Sequence, residues 1–166
     1  MKYLLVVPDG LADRPTEQLG GRTVLQVAQV PNMHGLARRG RVGVARTIPE
    51  GMSPGSDVAS MSILGYDPRR YYSGRGPLEA AGRGVGLEAE DVVYRCNLIA
   101  TDGQRLLDYA GGHIDSGEAA VLMQVVGEKL GSSKRRFIPG VSYRHLLVWR
   151  SGPLEVECTP PHDVVG

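Results

Sequence analysis

The sequence predicts an α/β protein that opens with a parallel βαβ unit and continues into a small α+β unit. Three observations lead there. The apolar run Tyr3–Val7 is ended by Pro8-Asp9-Gly10, which reads as a buried strand running into a turn. A second strand-like run, Arg41–Thr47, alternates around Val42 and Val44 after a helical stretch. Beyond Gly82–Glu90 the texture changes to short strand-like runs broken by turn residues, with one longer helical segment.

Taken in order, Tyr3–Val7 places Asp9 at a strand's C-terminal end, where open α/β sheets put their ligands. Leu11–Gly21 is loop and Thr23–Gln29 a short helix. Asn32 is a natural N-cap for a helix over Met33–Arg39 closed by Gly40. Arg41–Thr47 completes the βαβ unit. Two prolines and two glycines make Ile48–Gly55 a loop. Ser56 is then the expected N-cap of a helix over Asp57–Leu64 with Gly65 as its stop, and Pro77–Ala81 starts a helix on proline.

In the second half Asp91–Ala100 reads as a strand, turned by Thr101-Asp102-Gly103-Gln104 into Arg105–Ala110 as a hairpin. Ser116–Leu130 is a helix with Ser116 as its N-cap and Gly131 as its stop, and its apolar stripe is Val121, Leu122, Val125, Val126 and Leu130. Arg135–Ile138 and Tyr143–Trp149 are strands, and Ser151-Gly152-Pro153 turns the chain into Leu154–Cys158. The expected result is one sheet covered by one helix.

At 166 residues with 42% hydrophobic and 22% charged side chains, the chain can bury a core and is not disordered as a whole. A net charge of +1 argues against a general nucleic-acid binder or a polybasic membrane-surface protein. That balance hides an asymmetry: residues 1–86 carry net +4, with ten of their eleven cations arginine, and residues 87–166 carry net −3. An arginine-rich half suits small carboxylate or phosphate ligands, although it also suits ordinary surface charge. Cys96 and Cys158 form no CxxC pair and read as reduced structural thiols, which fits a cytoplasmic location. The apolar run after Lys2 is too short for a signal peptide, and no run approaches a membrane span.

Several residues could bear chemistry, each with a plainer alternative. Asp9 is either a ligand to a hard metal or the Asx residue of a turn with Gly10. Ser56 is either a nucleophile whose phosphate would meet free helix N–H groups or a simple N-cap. Arg69, Arg70, Arg75 and Arg83 can grip oxyanions with paired hydrogen bonds or lie solvated on the surface; Arg75 sits between glycines. His34, His113, His145 and His162 make no HxxxH or HxH spacing, so no complete histidine metal site is legible. His113 follows Gly111-Gly112, where backbone can approach a ligand. His145, beside Arg144, reads equally as a satisfied core histidine, and His162 lies in a proline-rich stretch where a structural role is the simpler reading.

The order of these segments adds what no single one supplies. VVPDGLADRP, PNMHGLARRG, RTIPEGMSPGSDVASMSILGYDPRRYYSGRGPLEAAG, VVYRCNLI, DYAGGHI, RFIPGVSYRHLLVW and PPHDVVG together resemble the archaeal-type cofactor-independent (2,3-bisphosphoglycerate-independent) phosphoglycerate mutases, a branch of the alkaline phosphatase superfamily. The resemblance runs across essentially the whole chain. It implies a phosphatase-like α/β core, here residues 1–84, and part of an inserted, substrate-covering α+β domain, here residues 85–166. It also implies interconversion of 3- and 2-phosphoglycerate through a phosphoserine. Two divalent metals are implied, manganese first, with magnesium, zinc or cobalt as alternatives. Carried over by position, Asp9 and Ser56 are metal donors, Ser56 is the nucleophile, and Arg75, His113, Arg95 and Arg144 bind substrate.

Departures from the family pattern are His34-Gly35 where Asp-Arg is usual, Val24 for a common Pro, and Ser60-Met61 for Asn-Leu. Family members run to about twice this length or more, and their remaining metal ligands, a DxxxH segment, an Asp-His pair and a further His, belong to the part not matched. The expectation is therefore a truncated chain, inactive alone, binding metal poorly and prone to self-association. Partners are expected to be phosphoglycerate, with no nucleic acid and no membrane. Two other readings remain: a homoserine-kinase-like relative, and a non-catalytic fragment that binds an anion or a partner.

Overall fold

The computed structural model describes residues 1–8 and 10–166 and is mixed α/β, in two compact units, Met1–Tyr72 and Ser73–Gly166. Among the described residues no helix is long and apolar enough to cross a membrane.

The first unit is built from short helices: α1 (Val24–Val27), α2 (Pro31–Arg39), α3 (Ser56–Ile63) and α4 (Pro68–Tyr71). Helix α1 starts in a reciprocal capping box, with the Thr23 side chain on the Gln26 N–H and the Gln26 side chain on the Thr23 N–H. Helix α2 begins earlier than expected. Pro31 occupies its first turn and Val30 the N-cap position, so Asn32 lies inside the helix. Val58 of α3 and Pro68 of α4 are buried. The Tyr72 hydroxyl donates to the Asp57 carboxylate, tying the end of α4 to the first turn of α3.

The parallel βαβ unit expected here is not formed among the described residues. Residues 1–8 and 41–47 belong to no ladder, and Tyr3, Leu4, Val6, Val42 and Val44 are exposed. A strand exists only through a paired neighbour. Apolar content alone does not make one, and neither run is paired in this chain.

The second unit holds α5 (Arg75–Gly82), β1 (Asp91–Asn97), β2 (Ala100–Thr101), β3 (Leu106–Asp108), α6 (Ser116–Leu130), β4 (Arg135–Val141) and β5 (Arg144–Arg150). Its main sheet is antiparallel in the order β1-β5-β4, with Asp91 opposite Arg150 and Asn97 opposite Arg144. The expected strand Asp91–Ala100 is divided, since Ala100–Thr101 pairs instead with β3 in a separate two-stranded ladder. No strand forms at Leu154–Cys158. Cys96 and Cys158 are free thiols, and burial pushes the Cys96 thiol pKa up.

Two helices cover the sheet rather than one: α5 packs on β1 and α6 on β4. The core joins Ala80 of α5 to Val93, Leu146 and Val148, with Val85 and Ile138 against it. Consecutive residues His145 and Leu146 are both fully buried, so central strand β5 is covered on both faces. Helix α6 begins and ends as its sequence suggests, although Asp115 rather than Ser116 caps it. Most of its apolar stripe is turned outward: Val121, Leu122, Val125 and Leu130 are exposed, while Ala119 and Met123 are buried and Val126, three residues after Met123, is half-buried. The four-residue spacing of Ala119 and Met123 places them on one helix face, and a small alanine lets the helix approach closely.

His145 is a core histidine with one satisfied nitrogen. Strand β4 bulges between Ile138 and Val141, and the Gly140 N–H released from the ladder donates to His145 Nδ1 at 2.9 Å. The proton of the neutral ring therefore sits on Nε2, which is buried with no hydrogen-bond partner among the described residues. Burial, then the nearby Arg83 charge, lowers the His145 pKa from the usual 6.5, and Glu79 opposes this. The unfolded chain takes up a proton as pH falls through about 6.5, whereas the folded ring does so only at lower pH. Stability is therefore complete above that value and declines as pH falls below it. Thermal melts at pH 7.5 and 5.5 are expected to show a drop in Tm that is smaller in His145→Gln; equal drops would remove His145 as the cause.

Candidate active site

Ser56 is the first residue of α3, one position later than expected, because Gly55 in extended backbone (φ −169°) occupies the N-cap position. Ser56 is exposed, and Asp57 follows it in the first turn. An N-terminal hydroxyl stands beside backbone N–H groups at the positive end of the helix, an arrangement that suits a negatively charged phosphoryl group. Asp9 lies outside the described residues.

In the second unit a cavity of about 460 Å³ is lined by Arg75, Arg95, Asn97, Tyr109, Tyr143, Arg144, Pro161 and His162. Its floor follows from strand register. Asn97 ends β1 opposite Arg144, which starts β5, and Arg95 shares their face two residues back. Arg75 enters from the first turn of α5, held close to the sheet because Gly76 lies against the Val93 carbonyl. Three of the four expected substrate-binding residues, Arg75, Arg95 and Arg144, thus meet in one cavity.

The fourth, His113, does not line it. It sits in left-handed backbone (φ 55°), and its ring meets the Tyr143 ring edge-on at 6.3 Å. The wall is aromatic: Tyr109 meets Tyr143 at 6.1 Å and His162 at 6.2 Å, both edge-on. The Arg144 guanidinium lies 5.1 Å from the Tyr143 ring centre and donates to its hydroxyl at 3.0 Å. Asn97, Tyr109, Tyr143 and Pro161 were not anticipated, and His162, for which a structural role is the simpler reading from sequence, joins them in the lining. Pairing VVYRCNLI antiparallel with RHLLVW would have placed Asn97 beside Arg144, whereas Tyr109, in the turn after β3, and His162, in the short 3-10 helix Pro161–Asp163, carry no such signal.

A guanidinium is a permanent cation with hydrogen-bond donors only. The lining contributes three of these and no carboxylate. Its chemistry is that of an oxyanion receptor. By contrast, no three His, Cys, Asp or Glu side chains gather into a metal-binding group among the described residues. The described donors therefore do not complete the two-metal centre that the resemblance implies.

The sequence profile of the 2,3-bisphosphoglycerate-independent phosphoglycerate mutases matches residues 37–166. Over its full length the chain is 54% identical to the 2,3-bisphosphoglycerate-independent phosphoglycerate mutase of Methanosarcina acetivorans. It is 49% identical to the probable enzyme of that name in Geobacter sulfurreducens. It covers 42% and 43% of those two proteins, so it spans under half the length of the curated relatives it matches. Among solved structures, the PH0037 protein of Pyrococcus horikoshii aligns with 85% of this chain and 35% of its own, with a TM-score of 0.68 and 32% identity. The chain belongs to the 2,3-bisphosphoglycerate-independent phosphoglycerate mutase family.

Proposed function

We propose that the chain serves the interconversion of 3-phosphoglycerate and 2-phosphoglycerate, with Ser56 accepting the phosphoryl group and the arginine-lined cavity binding the glycerate. The observation that supports this most is the convergence of Arg75, Arg95 and Arg144 on one cavity. Ser56 Oγ would form the bond to phosphorus as the glycerate oxygen leaves and takes a proton. The neighbouring glycerate hydroxyl would then attack the phosphoserine and restore the serine. The arginines bind and orient the anion while its hydroxyls exchange roles. His113, outside the lining with its ring against Tyr143, is proposed to act on the substrate through that ring.

Asp9 and Ser56 are proposed as two donors to a divalent metal, manganese by the resemblance, in a centre whose other donors are not among the described residues. Residues 1–84 are read as the start of the phosphatase-like core and 85–166 as part of an inserted domain. Among the described residues the strands all lie after residue 84, while the two compact units divide earlier, between Tyr72 and Ser73. A cytoplasmic setting fits the free thiols.

Homoserine is the weaker substrate. Its ammonium needs an acceptor carboxylate, and none lines the cavity. Calorimetric titration of the 166-residue chain is expected to give binding of 3-phosphoglycerate and none of homoserine. Arg75→Lys keeps the charge but loses the planar fork, and is expected to weaken binding about tenfold. A silent 3-phosphoglycerate titration, or an unchanged Kd in Arg75→Lys, would count against the reading.

A further inference from the structure

Beyond the cavity's lining, α5 carries an acidic residue that touches two arginines at once. Glu79 Oε2 lies 3.5 Å from Arg95 Nε, and its Oε1 lies 4.0 Å from Arg83 Nη1. All three side chains are about 28 to 29% exposed, so the pairs are partly withdrawn from solvent. Arg83 is anchored at its other end, where its guanidinium donates to the Pro139 carbonyl in the β4 bulge. Arg95 has no such anchor: its Nε is buried with no hydrogen-bond partner, and Glu79 supplies its only ion pair among the described residues.

From this geometry we infer that Glu79 is a positioning residue, which holds the Arg95 guanidinium at the cavity for an anionic ligand against the repulsion of Arg144. The inference rests on the reading of the cavity as the phosphoglycerate site. Guanidinium groups that line one cavity repel one another, and the repulsion grows as solvent is excluded. A long, flexible side chain loses rotamer freedom when it is fixed. Glu79 counters both effects for Arg95 because α5 is itself locked to β1 through Gly76 and Ala80. Arg83 keeps the carboxylate on its other side from swinging away.

Charge and positioning make opposite predictions for Glu79→Gln. The substitution removes one negative charge beside a cationic cavity, so a purely electrostatic role predicts tighter anion binding. A positioning role predicts weaker binding, because Arg95 is released to solvent. The 166-residue chain titrated with 3-phosphoglycerate is expected to show Glu79→Gln binding about five- to tenfold more weakly, with Tm near wild type. Arg95→Ala weakens binding as well. In that background Glu79→Gln is expected to leave binding unchanged or tighten it, since nothing remains to be held. Glu79→Asp keeps the charge with a shorter reach and is expected to fall between wild type and Glu79→Gln. Equal or tighter binding by Glu79→Gln with Arg95 present overturns the positioning role alone, as does the same loss with and without Arg95. A wild-type chain that does not bind 3-phosphoglycerate overturns the reading of the cavity and this inference with it.

Discussion

Ser56→Ala, in a protein that extends these 166 residues to the relatives' length, is expected to lower mutase turnover by at least about a thousandfold. The fold should barely notice. Gly55 holds the N-cap position of α3, so the change does not remove the capping residue, and alanine is the best helix former at the position after it. A stability change within about 1 kcal/mol is expected. The serine oxygen, by contrast, has no substitute. Without it no phosphoserine forms, and direct transfer between two hydroxyls of one glycerate lacks an attacking group on the protein. Quench-flow with labelled substrate should find covalent phosphate on the wild type and none on the variant. Turnover within tenfold of wild type would remove Ser56 from the mechanism.

The largest structural effect is expected from Gly76→Ala. A Cβ at this position would lie 2.3 Å from the Val93 carbonyl oxygen and 2.9 Å from its carbon. Both atoms are backbone in a strand paired along its length with β5, so neither can step aside cheaply. Relief requires α5 to lift from β1, which separates Ala80 from Val93, Leu146 and Val148. A loss of about 3 kcal/mol is expected, at the upper end for overpacking. Trp149, the only tryptophan, lies in β5 and reports the transition in urea by fluorescence. Because Arg75 rides on the same turn, 3-phosphoglycerate binding should fall even where the variant remains folded. A midpoint within error of wild type would show that the helix can shift without cost.

What the sequence reveals depends on whether a feature is local. Helix α6 was legible to the residue because polar residues precede it and Gly131 follows its last turn. Which face it buries was not: hydropathy favours Val121, Leu122 and Val125, yet the sheet takes Ala119 and Met123, a choice made by close packing. Tyr3–Val7 and Arg41–Thr47 have strand composition and no paired neighbour among the described residues, and pairing is a property of two segments that neither run encodes alone. In the cavity, the arginines were reached through resemblance and then brought together by β1–β5 register. Tyr109 and His162 depend on where loops return, and Glu79 on which arginine lies across from its helix. Such meetings of distant residues leave no periodicity to read.

Asp91 begins β1 at the end of the sheet away from Asn97 and Arg144, and its side chain is only 3% exposed. It accepts the Glu88 N–H at 3.0 Å and pairs with Arg136 of β4 at 3.3 Å and Arg150 of β5 at 3.8 Å. One carboxylate thereby gathers all three strands at the end of the sheet away from the cavity. Six residues of strand, about 20 Å, separate this clasp from the cavity. The two ends can consequently drift apart in evolution. Changes around the cavity can explore new ligands while the clasp preserves register, and the clasp itself is hard to leave by single steps. Replacing Asp91 removes the shared partner of both arginines and of the Glu88 N–H in one step, whereas replacing either arginine leaves the carboxylate still held by the other. The route by which this end could change thus has a direction, arginines before aspartate.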